Sequence, residues 1–78
     1  MTERTDGMAR QWTGRAALGA AARRRFEDAL PYCVGVGGSV RCRYPDGVPT
    51  AWIELPPGSD ERDWLAVTER LDRVLEQA

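Results

Sequence analysis

The sequence contains no histidine and no lysine among its 78 residues, which narrows the chemistry open to it. Histidine is the usual general base near neutral pH and the commonest metal ligand, and lysine supplies the amine of Schiff-base and P-loop sites. Acid–base catalysis would therefore rest on carboxylates, and most of these fall at predicted helix caps or on outward helix faces. The sequence thus predicts a protein that is not an enzyme and that holds no cofactor and no metal.

Long apolar runs are also absent, because arginine, glycine or proline interrupts each stretch that approaches the length of a membrane span. The beginning, MTERTDGMARQW, is polar and lacks the apolar segment of a signal peptide. We therefore expect a cytoplasmic protein that has no membrane partner. In that reducing compartment, the two cysteines are expected to remain thiols.

Net charge is close to zero, at −1, but it is unevenly distributed. Residues 1–44 carry eight arginines and four acidic residues, whereas residues 45–78 carry three arginines and eight acidic residues. A nucleic-acid-binding domain is commonly basic as a whole. A charge dipole instead favours association with another protein, which could be a second copy of the chain.

One small domain with two helices is predicted from the hydrophobic periodicity. Residues 1–11 have little to bury and are expected to form a flexible N-terminal tail, which leaves residues 12–78 as a single α+β domain. The first helix is predicted over residues 14–30, with Thr13 as its cap and Pro31 as its end.

The second helix is predicted to begin after a cap at Ser59 or Asp60. Its apolar residues recur at helical spacing. They are Trp64, Val67, Leu71 and Leu75. Trp52 and Trp64 are assigned to the core, whereas Trp12 is expected to be either a staple before the first helix or an exposed anchor.

Between the helices, residues 32–55 form short runs separated by glycine and proline, which is typical of strands. Gly37-Gly38 and the segment YPDGV are the two turn signals. The predicted order is α-β-β-β-α. The resulting fold is a three-stranded antiparallel meander covered on one face by two helices.

A two-residue turn at Gly37-Gly38 would place Cys33 across from Cys42, at a position where side chains are closest. A disulfide between these two cysteines is then possible, although neighbouring buried thiols are the favoured interpretation. A tetrahedral metal site would need two further ligands, so none is predicted.

The YPDGV turn would pair Tyr44 with Val48, and this register assigns the remaining strand residues to two faces. Two arginines then lie together with aliphatic side chains on one face. Burying both without partners would cost several kcal/mol each, so we expect that face to be open. An exposed apolar patch with arginines is typical of a contact surface. Its expected binding residues are Arg41, Arg43, Val34, Val36 and Ile53.

These features predict a small protein-binding module, such as a regulatory subunit, an adaptor or an inhibitor of a larger protein or complex. Its partner would be another protein or a second copy in a homodimer. The alternative is a nucleic-acid-binding domain that uses the arginine-rich N-terminal half through Arg15, Arg23 and Arg24. That alternative is less favoured, because successive helix residues point about 100° apart and the last two arginines have acidic residues four positions later.

Overall fold

A computed structural model describes residues 8–78 of the chain. Within these residues the predicted α+β class is confirmed, with three antiparallel strands and two helices. The elements in chain order are β1 (Ala9–Thr13), α1 (Ala20–Val34), β2 (Ser39–Arg43), a short 3₁₀ turn (Pro45–Gly47), β3 (Thr50–Glu54) and α2 (Glu61–Gln77).

The strand order in the sheet is β1-β3-β2, so the first strand of the chain is at one edge and β3 is central. The third strand comes from residues 9–13 and not, as the sequence suggested, from residues 33–36. Ala9 lies opposite Glu54 and Thr13 lies opposite Thr50. The predicted tail is therefore wrong for residues 9–11, and residues 1–7 lie outside the described part of the chain.

Helix α1 starts later and ends later than its sequence suggested. Gly19 occupies the N-cap position instead of Thr13, and the helix continues beyond Pro31 to Val34. Proline removes one helical N–H, but near the end of a helix that loss affects a single hydrogen bond. The extra turn buries Cys33 and Val34 in the core, which offsets the loss.

Helix α2 begins where the sequence predicted. The Asp60 side chain accepts from the N–H of Asp63 at 3.1 Å, and the Asp63 side chain accepts from the N–H of Asp60 at 2.9 Å. This reciprocal capping box satisfies two backbone donors at the helix start. One stripe of α2 is buried, and its members are Trp64, Val67 and Leu71.

The core lies between one face of the sheet and the two helices. Strand β3 contributes its alternate residues Ala51 and Ile53. Strand β1 contributes Trp12, whose ring stacks on Phe26 with the centroids 5.8 Å apart. The indole N–H of Trp12 donates to the carboxylate of Asp72 at 3.3 Å, which ties β1 to α2.

The register between β2 and β3 differs from the predicted one by a single position. Arg43 lies opposite Thr50, so the connection between the strands includes Val48 and Pro49. Both Asp46 and Gly47 have positive φ, at 55° and 83°, which lengthens the turn beyond the predicted one. A shift of one residue reverses the two faces of a strand.

The face assignment of β3 is corrected accordingly. Ile53 is fully buried, and Trp52 points away from the helices with 42% of its surface exposed. Within residues 8–78, neither helix is long and apolar enough to cross a lipid bilayer.

Candidate binding surface

One face of the sheet is covered by neither helix, and we call it the open face. It consists of alternate residues from all three strands. These residues are Ala9, Gln11, Thr13, Ser39, Arg41, Arg43, Thr50, Trp52 and Glu54. The open face is polar and charged at its margins and has one large aromatic side chain on its central strand.

Trp52 occupies the middle of the open face. Gln11 lies beside it on β1, and Arg41 lies beside it on β2. The indole N–H donates to the carboxylate of Glu54 at 3.1 Å, so the polar end of the ring is satisfied within the same strand. The rest of the ring is left as an apolar surface that a partner can cover.

Arg41 and Arg43 are exposed along β2, with their side chains on the same face as Trp52. No acidic side chain in the described part of the chain lies within salt-bridge distance of either guanidinium. Arg10 provides a contrast, because it forms a two-pronged ion pair with Glu61, with both N–O distances at 2.9 Å. Among residues 8–78, the guanidinium groups of Arg41 and Arg43 are therefore not engaged in an ion pair.

Two grooves run along β2, one on each side. The first lies on the open face, has a volume of about 360 Å³ and is lined by Gln11, Arg41, Arg43, Thr50 and Trp52. The second lies between β2 and α1 and has a volume of about 430 Å³. Arg41 and Arg43 line both grooves.

Comparison with protein-family models, curated proteins and solved structures gave no match for this chain.

The five residues that the sequence assigned to a binding surface are separated by the fold. Arg41 and Arg43 lie on the open face, as predicted. Val34 and Ile53 are core residues with 8% and 0% of their surface exposed, so their assignment is wrong. Val36 is fully exposed, but it lies in the turn between α1 and β2 and not on the sheet.

Trp52, Gln11 and Thr50 were missed by the sequence interpretation. Trp52 could have been found, because Ala51, Ile53 and Leu55 form an alternating aliphatic set whose burial leaves the tryptophan on the other face. Gln11 could not, because its position depends on the pairing of β1 with a strand distant in sequence.

The arginines of the nucleic-acid alternative do not converge on one surface. Arg23 donates to the carbonyl of Leu18 at 3.3 Å, and its guanidinium lies 4.7 Å from the centroid of the Tyr44 ring. Arg24 lies beside Arg25 on the outer side of α1. Arg15 lies next to α2 and lines a cavity together with the acidic residues Asp72 and Glu76.

The two cysteines do not face each other across a hairpin, because Cys33 belongs to α1 and Cys42 to β2. Both are free thiols. Burial raises the pKa of both thiols and, more strongly, that of the Tyr44 hydroxyl. A protonated thiol is a poor nucleophile. Within residues 8–78, no three acidic or cysteine side chains are grouped as a metal site would require.

Proposed function

We propose that the chain is a non-enzymatic protein-binding module of the cytoplasm that contacts its partner through the open face of its sheet. The observation that carries this proposal is the row formed by Gln11, Trp52 and Arg41 across three neighbouring strands. Such a module would act as a regulatory subunit, an adaptor or an inhibitor of a larger protein.

The residue types of this row support a protein partner. Tryptophan and arginine are enriched at protein interfaces and among the residues that contribute most to binding energy. Trp52 is held by its hydrogen bond to Glu54, so part of the ordering cost of the side chain has been met before binding. The exposed ring provides apolar area, and the guanidinium beside it provides directional donors.

The charge of the surface supports a partner with carboxylates. Arg41 and Arg43 have no acidic side chain within salt-bridge distance among residues 8–78. An arginine can bind a carboxylate through two parallel hydrogen bonds, and such pairs are among the stronger ones in proteins. An acidic protein segment placed over β2 would provide both guanidinium groups with partners.

A nucleic-acid partner is less well supported by the same surface. Glu54 lies next to Trp52 on the open face, and its carboxylate would repel the phosphate groups of a nucleic acid whose bases stacked on the ring. The arginines of α1 and its preceding loop point to other parts of the surface. Two guanidinium groups form a small basic patch on a chain whose net charge is −1.

The experiment is a pull-down of the cellular partner with the parent protein and with the double variant Arg41→Glu, Arg43→Glu. We expect the fold to persist by circular dichroism, because surface substitutions usually change stability by about ±0.5 kcal/mol each. Binding should fall at least tenfold, because attraction becomes repulsion at a desolvated contact. The control Arg24→Glu, Arg25→Glu makes the same charge change on the outer side of α1 and should bind like the parent. Undiminished binding of the β2 variant, or an equal loss in both variants, would contradict the proposal.

A further inference from the structure

We infer that the partner contributes an extended acidic segment, which adds to the free edge of β2 as a fourth strand. This inference rests on the proposed function and names the form of the partner at the same site. It follows from the position of β2 in the sheet, from the groove beside it and from the charges along it.

Strand β2 is an edge strand, since the order in the sheet is β1-β3-β2. Beyond its ladder with β3, residues 39–43 make no backbone hydrogen bond to another described residue. An edge strand of this kind presents a row of unpaired N–H and C=O groups to any extended chain that approaches it. Strand addition to such an edge is a common mode of peptide recognition.

The groove between β2 and α1 gives an added strand a place for alternate side chains. Its walls include Leu30 and Pro31 from the helix and Val40 and Cys42 from the strand. The last two residues face the helices but are only half-buried, so α1 does not fully cover this margin of the sheet. Apolar side chains of an added strand would bury this surface further.

The other side chains of an added strand would point to the open face, because successive residues of a strand alternate between faces. There they would lie beside Arg41 and Arg43, and opposite charges across neighbouring strands are stabilising. Glu27 borders the groove on the helix side and disfavours a carboxylate there. The segment is therefore expected to alternate acidic and apolar residues over about five positions, or about 17 Å, to match β2.

A second copy of the chain does not fit this edge. Pairing β2 with the β2 strand of another copy would bring four arginines onto one face of a two-strand junction. Like charges on neighbouring strands are destabilising, and charged residues on an edge are a known protection against self-pairing. The occupant is therefore a different, acidic chain.

The test uses short synthetic peptides and the whole ¹⁵N-labelled protein. The probe is acetyl-Glu-Val-Glu-Val-Glu-amide, and its titration should perturb the amide signals of residues 39–43 and slow their hydrogen exchange. Two further peptides carry N-methyl groups, either on the glutamate amides or on the valine amides. Since alternate amides of a strand point toward its neighbour, one methylated peptide should lose binding at least tenfold and the other should retain it.

Charge is tested in parallel. Acetyl-Lys-Val-Lys-Val-Lys-amide should show at least tenfold weaker binding, and so should the acidic peptide with the Arg41→Glu, Arg43→Glu protein. The Arg24→Glu, Arg25→Glu protein should bind the acidic peptide like the parent. Equal binding of both methylated peptides, equal binding of the basic peptide, or no response to the acidic one at millimolar concentration would overturn strand addition. If the cellular partner still required Arg41 and Arg43 in the pull-down, the open-face proposal would stand without it.

Discussion

Arg41 and Trp52 lie directly opposite each other on neighbouring strands, on the side of the sheet that the helices do not cover. Trp52 belongs to the central strand, so its ring has a strand on either side, whereas Arg41 belongs to an edge. The pair therefore joins the most apolar point of the open face to the strand where backbone groups are free. Trp52 is the exposed tryptophan of the chain, whereas Trp12 and Trp64 are buried.

Trp52 and Trp64 are expected to differ in their effect on stability. Trp64→Ala should lower the free energy of unfolding by about 3–5 kcal/mol, because the ring is 9% exposed and its removal leaves a cavity between α2 and the sheet. Trp52→Ala should cost at most about 1 kcal/mol, which is the span of strand propensities. Urea unfolding of the two variants measures both values. Equal losses would mean that the open face is covered in solution.

Gly38 is expected to tolerate no side chain, in contrast to Gly19. A Cβ at Gly38 would clash with the side chain of Val34 and lie 2.9 Å from the carbonyl oxygen of Glu54. We expect Gly38→Ser to cost about 1–3 kcal/mol, as overpacked sites do. Gly19→Ser places the same side chain at the N-cap of α1, where an added Cβ would have no neighbouring atom within 4 Å. This substitution should be neutral or stabilising by a few tenths of a kcal/mol.

Thermal unfolding of these two serine variants checks the packing of the turn before β2. A melting temperature for Gly38→Ser that equals the parent value would show that Val34 and β3 do not approach this position as described.

Glu61 is expected to titrate at a lower pH than an isolated glutamate. The hydrogen bonds and charge of Arg10 lower the pKa of its carboxyl group. Because this pKa is lowered in the folded state, the stabilisation is complete above the unfolded pKa and is lost as pH falls through the folded one. Arg10→Gln should return the pKa of Glu61 toward its ordinary value, and an NMR titration of the carboxyl carbon measures this.

The control for that titration is Arg62→Gln, which removes the same charge from the residue next to Glu61 without removing its hydrogen-bond partner. It should leave the pKa of Glu61 low. A pKa of Glu61 that is the same with and without Arg10 would show that the ion pair does not persist in solution.

Cys42 is expected to react with a thiol reagent before Cys33. Cys42 is half-buried at the margin of the sheet, whereas Cys33 is 3% exposed within the core. Burial raises the pKa of both thiols, so both should react more slowly than in denatured protein. Labelling with Ellman's reagent gives the two rates, and Cys42→Ser identifies which phase belongs to which residue. A single fast phase for both thiols would contradict the buried position of Cys33.

The second helix could be predicted from sequence because its signals are local. The capping residues Asp60 and Asp63 and the apolar stripe that starts at Trp64 all act within a few turns of one another. The arginines of β2 were placed correctly for a similar reason, since Arg41 and Arg43 alternate with the apolar residues beside them. These features do not depend on which other element packs against them.

The errors occur where distant contacts override a local rule. Pro31 indicates a helix end, yet α1 continues because Cys33 and Val34 reach the core. The sequence predicts a short turn before β3, yet Asp46 takes a left-handed conformation that few residues other than glycine adopt. The resulting shift of one position in the register reverses the two faces of β3. Ile53 is therefore in the core, and Trp52 provides the apolar part of the candidate surface.

The pairing of β1 with β3 has a consequence for synthesis of the chain on the ribosome. Thr13 pairs with Thr50 and Ala9 with Glu54, so β1 is made well before its partner exists. At about 5–20 residues per second this wait lasts seconds, whereas a hairpin such as β2–β3 closes within about 1–10 μs. We therefore expect β1, which is synthesised before β2 and β3, to be the last of the three strands to join the sheet. Until β1 has docked, β3 is an edge strand, although it is the central strand of the finished sheet.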